Sequence, residues 1–362
     1  MPITQHFDRL LFGATIVLTA VGLAVMGSAS WVLATERYGR PASYFVTWQS
    51  ATAAVGLLLM LIVMHLKTEV VLRPKVTGTF LALSWLLLLG AYLQPPINST
   101  YRWISLGGIS VQPSVVARLA LILLTAVLLA RARENEWDWK NLGLLVATSS
   151  VTAVLVLAEP DLGSAALIVA TIGAMTFVAG MPLRLLAVPG ISVVLAAVAA
   201  VLTSPYRLAR VKAFIGAGAA AAGYQSRQSM VAIGSGGLAG RGYGAGLQKL
   251  FFLPEPHTDF VFASTAEELG LVGIIALVAL AGVITWRGLQ ISWRQPASAR
   301  ALLAFGLTVT FATQALLHMV VCLRLLPPKG IPFPLVSYGK TDLLVTMISM
   351  GLLLNLSREL RS

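Results

Sequence analysis

Apolar runs of about 17 to 23 residues recur along the whole chain, each long enough to cross hydrocarbon as a helix. Short polar, Pro- or Gly-marked breaks separate them. Lipid offers a backbone no hydrogen-bond partners, so only helices and closed barrels span it. These runs lack the strict alternation of barrel strands. The expected fold is therefore an all-α polytopic membrane protein with about ten transmembrane helices. The spans are expected at 10–33, 44–66, 76–94, 114–130, 142–158, 164–180, 185–203, 264–286, 301–323 and 342–356, with Pro189 and Gly190 interrupting the seventh. Composition agrees: 57% of residues are hydrophobic and 11% charged, against about 25% charged in soluble domains. Leu10 to Met26 is longer than a signal-peptide core and reads as a retained first helix.

The net charge of +12 matches loops rich in Lys and Arg beside an anionic leaflet. No basic stretch is interleaved with aromatics as a nucleic-acid surface would be, so nucleic acid is not expected as a partner. With the N-terminus inside, 13 of the 26 Lys and Arg fall in inner segments. Of the other thirteen, six lie in the long segment 204–263 (Arg207, Arg210, Lys212, Arg227, Arg241, Lys249). Long loops weigh little in orientation, so both termini are expected in the cytoplasm and the long loop outside. Cys322 is the single cysteine, which allows no intrachain disulfide, and no Cys/His spacing points to zinc.

The segment 204–263 is too long for a connector, and such loops tend to be functional. It joins Gly-Ser-Gly-Gly (234–237), Gly240, Gly242, Gly244 and Gly246 to apolar Leu250-Phe251-Phe252-Leu253, so it should pack on the bundle and partly re-enter the membrane surface. Asp259 follows Leu253-Pro-Glu-Pro-His-Thr, where Pro254 and Pro256 stiffen the approach to the next helix. Thr265 and Glu268 match a capping box, which gives Glu268 a structural reading. His257 reads as a proton carrier or a hydrogen-bonded structural group. Arg118 lies one turn inside the fourth span and needs a carboxylate, for which Asp161 and Glu159 are candidates, either as a helix tie or as part of a site. Lys329 and Lys340 flank Gly330-Ile-Pro-Phe-Pro-Leu-Val-Ser-Tyr-Gly339. With Pro328, Pro332 and Pro334 this stretch should be an irregular outer segment, suited to a phosphate or pyrophosphate or to lipid headgroups.

The motifs Arg102-Trp103, Gln112-Pro-Ser114, Pro160-Asp-Leu-Gly163, Tyr206-Arg-Leu-Ala-Arg210, Gln228-Ser, Leu253-Pro-Glu-Pro-His-Thr-Asp-Phe, Glu267-Glu-Leu-Gly270 and Pro334-Leu-Val-Ser-Tyr-Gly339 occur in one order over most of the chain. In that order they resemble the SEDS family of bacterial membrane proteins, which includes FtsW, RodA and SpoVE. Gln248-Lys-Leu and Leu326-Pro-Pro-Lys-Gly330 look slightly more like the FtsW branch. The resemblance implies a peptidoglycan glycosyltransferase in the bacterial cytoplasmic (inner) membrane, serving cell division or elongation. It would polymerise lipid II, a polyprenyl-pyrophosphate-linked disaccharide peptide, beside a class B penicillin-binding protein. The family's essential aspartate falls on Asp259 and its Trp on Trp103. Arg102, Arg118, Arg210 and Lys329 are then candidate substrate-binding cations, with Asp161, Glu268, His257 and Ser337 in support. A divalent cation, Mg²⁺ or Mn²⁺, could share the charge of the pyrophosphate. The chain departs from the family at Val115, where Glu is usual, at Arg118 in place of Lys, and at Lys340-Thr-Asp342. Loss of the Glu makes Asp161 or Asp342 the better partner for Arg118. A lipid II flippase and a non-catalytic scaffold for the penicillin-binding protein are the rival readings.

Overall fold

The computed structural model describes residues 7–95, 100–106, 109–182, 220–296 and 298–360, with a few positions between 184 and 208. Asp8 caps α1 (Arg9–Val32), its carboxylate accepting from the N–H of Leu11 at 2.9 Å, as an N-cap acid should. The helix ends in a π-helical turn, Leu33–Arg37. Then follow α2 (Tyr44–Val63), the short α3 (Thr68–Val71) and α4 (Pro74–Ala91), whose proline occupies the first turn, where it costs no hydrogen bond. A small antiparallel hairpin, β1 (Ile104–Leu106) with β2 (Ile109–Val111), pairs Ile104 with Val111 and leads into α5 (Pro113–Glu134). The sequence pattern gave no sign of these strands, which are too short to show a period.

Helix α5 is apolar on every side and buried along nearly its whole length, as an all-round hydrophobic helix must be. It is the axis of the bundle, packed against α4, α6 (Trp139–Ala158), α7 (Leu162–Val178), α10 (Ala299–Cys322) and α11 (Lys340–Glu359). Helices α2, α4 and α6 expose Leu58, Leu86 and Val154 on their outer faces, the surface a lipid would cover. Among the described residues, seven helices are long and apolar enough to cross a membrane, and the protein is a multi-pass membrane protein. Helices occur at nine of the ten expected spans. The span expected at 185–203 falls almost entirely outside the described residues.

Two expectations change. Part of the long segment is helical: α8 (Ala220–Gly236) packs on α9 (Val261–Arg294) and α10. The helix expected at 264–286 begins earlier, at Val261, so Thr265 and Glu268 lie inside it and make no capping box; Thr265 Oγ1 instead donates back to Val261 O at 2.7 Å. Helix α9 breaks at Gly270, with φ 65° and ψ −163°, a region essentially reserved for Gly. The glycine-rich stretch fills the break. Arg241 and Gly242 N–H donate to Glu267 and Glu268 carbonyls at 3.0 Å, and Leu271 N–H donates to Gly237 O at 3.0 Å. A Cβ on Gly240 would lie 2.1 Å from Glu268 O, so glycine is required for this close approach.

Candidate active site

Asp259 ends a stiff turn just before α9. The N–H groups of Thr258 and Asp259 both donate to Glu255 O, at 3.3 and 3.1 Å. The turn is joined to the irregular segment 327–339 along its edge. Tyr338 N–H donates to His257 O (2.9 Å) and Ser337 Oγ donates to Thr258 O (2.7 Å). Ser337 Oγ also accepts from Phe333 N–H at 2.9 Å. The half-buried carboxylate of Asp259 lies over Gly330: a Cβ there would stand 3.0 Å from Oδ2. Lys329, also half-buried, enters the site as the residue before it. The structure thus brings Asp259, Gly330, Ser337 and the His257 backbone together, with Lys329 next to Gly330 in the chain.

His257 is buried between Phe45 and Tyr338, with ring centroids 4.8 and 5.6 Å away. Burial pushes its imidazole down to about 4, so it is uncharged at neutral pH and packs as a ring.

Two polar side chains of α10 hold the site from below. His318 Nδ1 lies 2.7 Å from Ile331 O, while its Nε2 accepts from Phe262 N–H at 3.4 Å, which joins the irregular segment to the head of α9. Gln314 Nε2 donates to Pro332 O and to both carboxylate oxygens of Asp342, all at 3.0 Å. Gln49 of α2 donates to Ser337 O at 3.1 Å. None of these three was singled out from the sequence. Gln314 and His318 carried a readable signal, being polar and four residues apart on one face of an apolar helix.

Arg118 pairs with Asp342 of α11 at 3.3 Å, both nearly fully buried. The cavity beside it measures about 20 Å³, room for a single water. Asp161 and Glu159 are therefore not its partners. Asp161 caps α7, accepting from Ser164 N–H (3.1 Å), Ser164 Oγ (2.7 Å) and Gln112 Nε2 (3.3 Å). Arg102 Nε donates to Glu159 O at 3.3 Å and its guanidinium to Pro160 O, which clamps the α6–α7 turn. Trp103 lies half-buried beside it at the foot of β1. That turn touches the Asp259 site through Ile331, whose Cγ1 would be 3.0 Å from a Cβ on Gly163. Arg210, with all of the Tyr206–Arg210 motif except Leu208, lies outside the described residues.

The FtsW/RodA/SpoVE family model, described as "Cell cycle protein", matches residues 8–362. The chain belongs to this family. Among its relatives, "Probable peptidoglycan glycosyltransferase FtsW" of Saccharophagus degradans is 40% identical, covering 98% of this chain and 94% of that protein. The protein of the same name in Legionella pneumophila is 37% identical, over 98% and 92%. A chain from a peptidoglycan synthase complex that coordinates polymerization and crosslinking superposes with a TM-score of 0.78 at 27% identity, covering 98% of each chain. The rod shape determining protein RodA of Thermus thermophilus gives 0.70 at 26%, covering 100% of both. Membership in the FtsW/RodA/SpoVE family agrees with the ordered motifs, and the FtsW names of these relatives agree with the Gln248-Lys-Leu stretch.

Among the described residues, no group of three or more His, Cys, Asp or Glu side chains could hold a metal ion. A divalent ion at Asp259 would have to take most of its ligands from substrate phosphate oxygens, as Mg²⁺ commonly does.

Proposed function

We propose that the protein polymerises lipid II into glycan strands at the outer face of the bacterial cytoplasmic membrane, with Asp259 as the general base. The observation that carries this is the Asp259 carboxylate, half-buried and set against the backbone of Gly330 beside Lys329. Asp259 takes the proton of a sugar hydroxyl on one lipid-linked molecule. The hydroxyl oxygen bonds to the anomeric carbon of the other. The anomeric carbon–phosphate oxygen bond breaks, and polyprenyl pyrophosphate leaves with the electron pair. Positive charge near the leaving group lowers the barrier. Lys329, next to Gly330 in the irregular segment, is the leading candidate for that charge, with Arg102 and Arg210 as further candidates. Mg²⁺ or Mn²⁺ carried on the pyrophosphate would share that charge.

Arg118 is removed from this list. Its guanidinium is engaged by Asp342 inside the bundle, and the small cavity beside it admits no disaccharide headgroup. That also weighs against a headgroup path past Arg118. The Lys/Arg distribution supports cytoplasmic termini, and with ten spans that reading puts Asp259 on the outer face. A class B penicillin-binding protein is the proposed partner, in line with the synthase complex that holds a chain of similar fold.

The test is polymerisation of lipid II by purified protein in detergent or liposomes, with and without the penicillin-binding partner. Asp259→Ala should insert and melt like the wild type yet form no polymer. Full activity in that variant sinks the assignment, and headgroup translocation without polymer would favour the flippase.

A further inference from the structure

Two buried charges have no part in the chemistry above. Lys249 lies between α8 and α9, and Glu268 lies in α9 two residues before the Gly270 break. Their side chains are 2% and 4% exposed and meet at 2.7 Å. Lys249 Nζ also donates to Ser28 Oγ (2.9 Å) and Gly244 O (2.8 Å), so each of its three protons has an acceptor. Glu268 Oε1 accepts from Ser28 Oγ at 2.7 Å, and its Oε2 from Gly244 N–H at 3.1 Å. Beside it, Glu267 Oε1 accepts from Leu247 N–H at 2.8 Å.

A buried ion pair is a poor way to add stability, because two apolar residues of the same volume often do as well or better. What the pair supplies is directional geometry, and its location gives that geometry a use. Lys249 and Glu268 are 19 positions apart, and Asp259 stands near the middle of the segment they close. The clasp ties the base of this loop, and Ser28 fixes the base to α1. At the other side, the hydrogen bonds from Tyr338 and Ser337 hold the tip against the irregular segment. The segment that carries Asp259 over Gly330 thus runs between two anchors.

We infer that Lys249 is a positioning residue for Asp259: the Lys249–Glu268–Ser28 clasp sets where the loop base closes, and so where the carboxylate stands relative to the acceptor hydroxyl. It touches no substrate. This rests on the reading of Asp259 as the base. Proton transfer requires hydrogen-bond reach, and a misplacement of about 1 Å costs on the order of a hundredfold in rate.

The test measures initial rates against lipid II concentration for the purified full chain, with Asp259→Ala alongside. Lys249→Gln is expected to lower kcat by about tenfold or more and leave KM within about twofold, since geometry and not binding is lost. Lys249→Arg, which keeps the charge and can reach Glu268, should recover to within about threefold of wild type. Lys249→Met/Glu268→Met replaces the charges by an apolar pair; it should keep the wild-type Tm and still show the low kcat. Wild-type kcat in Lys249→Gln, or in the apolar double variant, overturns the inference. Should Lys249→Gln melt below the assay temperature, the double variant is read by the same criterion. Polymer from Asp259→Ala would instead overturn the assignment of the base.

Discussion

Glu159 ends α6 with both carboxylate oxygens buried and no hydrogen-bond partner for either among the described residues. Burial first, and the neighbouring Asp161 second, raise its carboxyl from 4.5 to about 8, while the Arg102 guanidinium pulls it partly back. The neutral acid is therefore the folded form at pH 7, whereas the unfolded chain would ionise it. A group with a raised folded pKa contributes stability that is complete below the unfolded value and is lost as pH rises through the folded one. At about 1.4 kcal/mol per pKa unit, the loss between pH 4.5 and pH 8 is at most about 5 kcal/mol, with about 3 of it already gone at pH 7. Glu159→Gln keeps the shape and cannot ionise. Its stability relative to wild type should be close to zero near pH 4.5 and rise steadily to pH 8. The assay is thermal melting of the detergent-purified protein from pH 5 to 9, followed by tryptophan fluorescence. With about 2 °C per kcal/mol for a large chain, the variant should melt several degrees above wild type at pH 8. Parallel Tm curves for the two proteins across this range would show that Glu159 carries no proton in the fold, and the reasoning would fail.

The irregular segment and the ion pairs give further tests. Gly330→Ala places a methyl 3.0 Å from Asp259 Oδ2, so polymerisation should fall about tenfold while the melting temperature stays near wild type; unchanged kcat would mean the carboxylate does not work from this position. Asp342→Leu strands the Arg118 charge inside the bundle and should cost about 3–5 kcal/mol, most of it returned by the added change Arg118→Met, as read from Tm in the single and double variants. Gly270→Ala forces a Cβ to within 2.3 Å of Gly240 N at a φ of 65°; it should lower the yield of folded protein, measured by size-exclusion chromatography, more than Gly282→Ala, whose Cβ meets nothing within 4 Å.

Much of this protein was written in its sequence. Hydropathy alone anticipated helices at nine of the ten expected spans, because each spans lipid by satisfying its own backbone over a local run of about 20 residues. The ordered motifs placed the chain in its family, and the three prolines of 328–334 announced the irregular segment that packs against the Asp259 turn. Local signals misled where the backbone was rearranged from afar. The apparent capping box at Thr265 and Glu268 lies inside α9, and an irregular glycine-rich stretch from the preceding loop supplies hydrogen bonds at the Gly270 break. Pairing was beyond reach for the same reason. Arg118 offered several carboxylates, and the one it uses is 224 positions away; Ser28 meets Glu268 across 240. His318 showed as a polar residue in an apolar run, yet its two partners, Ile331 O and Phe262 N–H, belong to different segments. A sequence states which groups must find partners in a medium without water. Which partners they find depends on how the helices pack, and only the tertiary structure decides that.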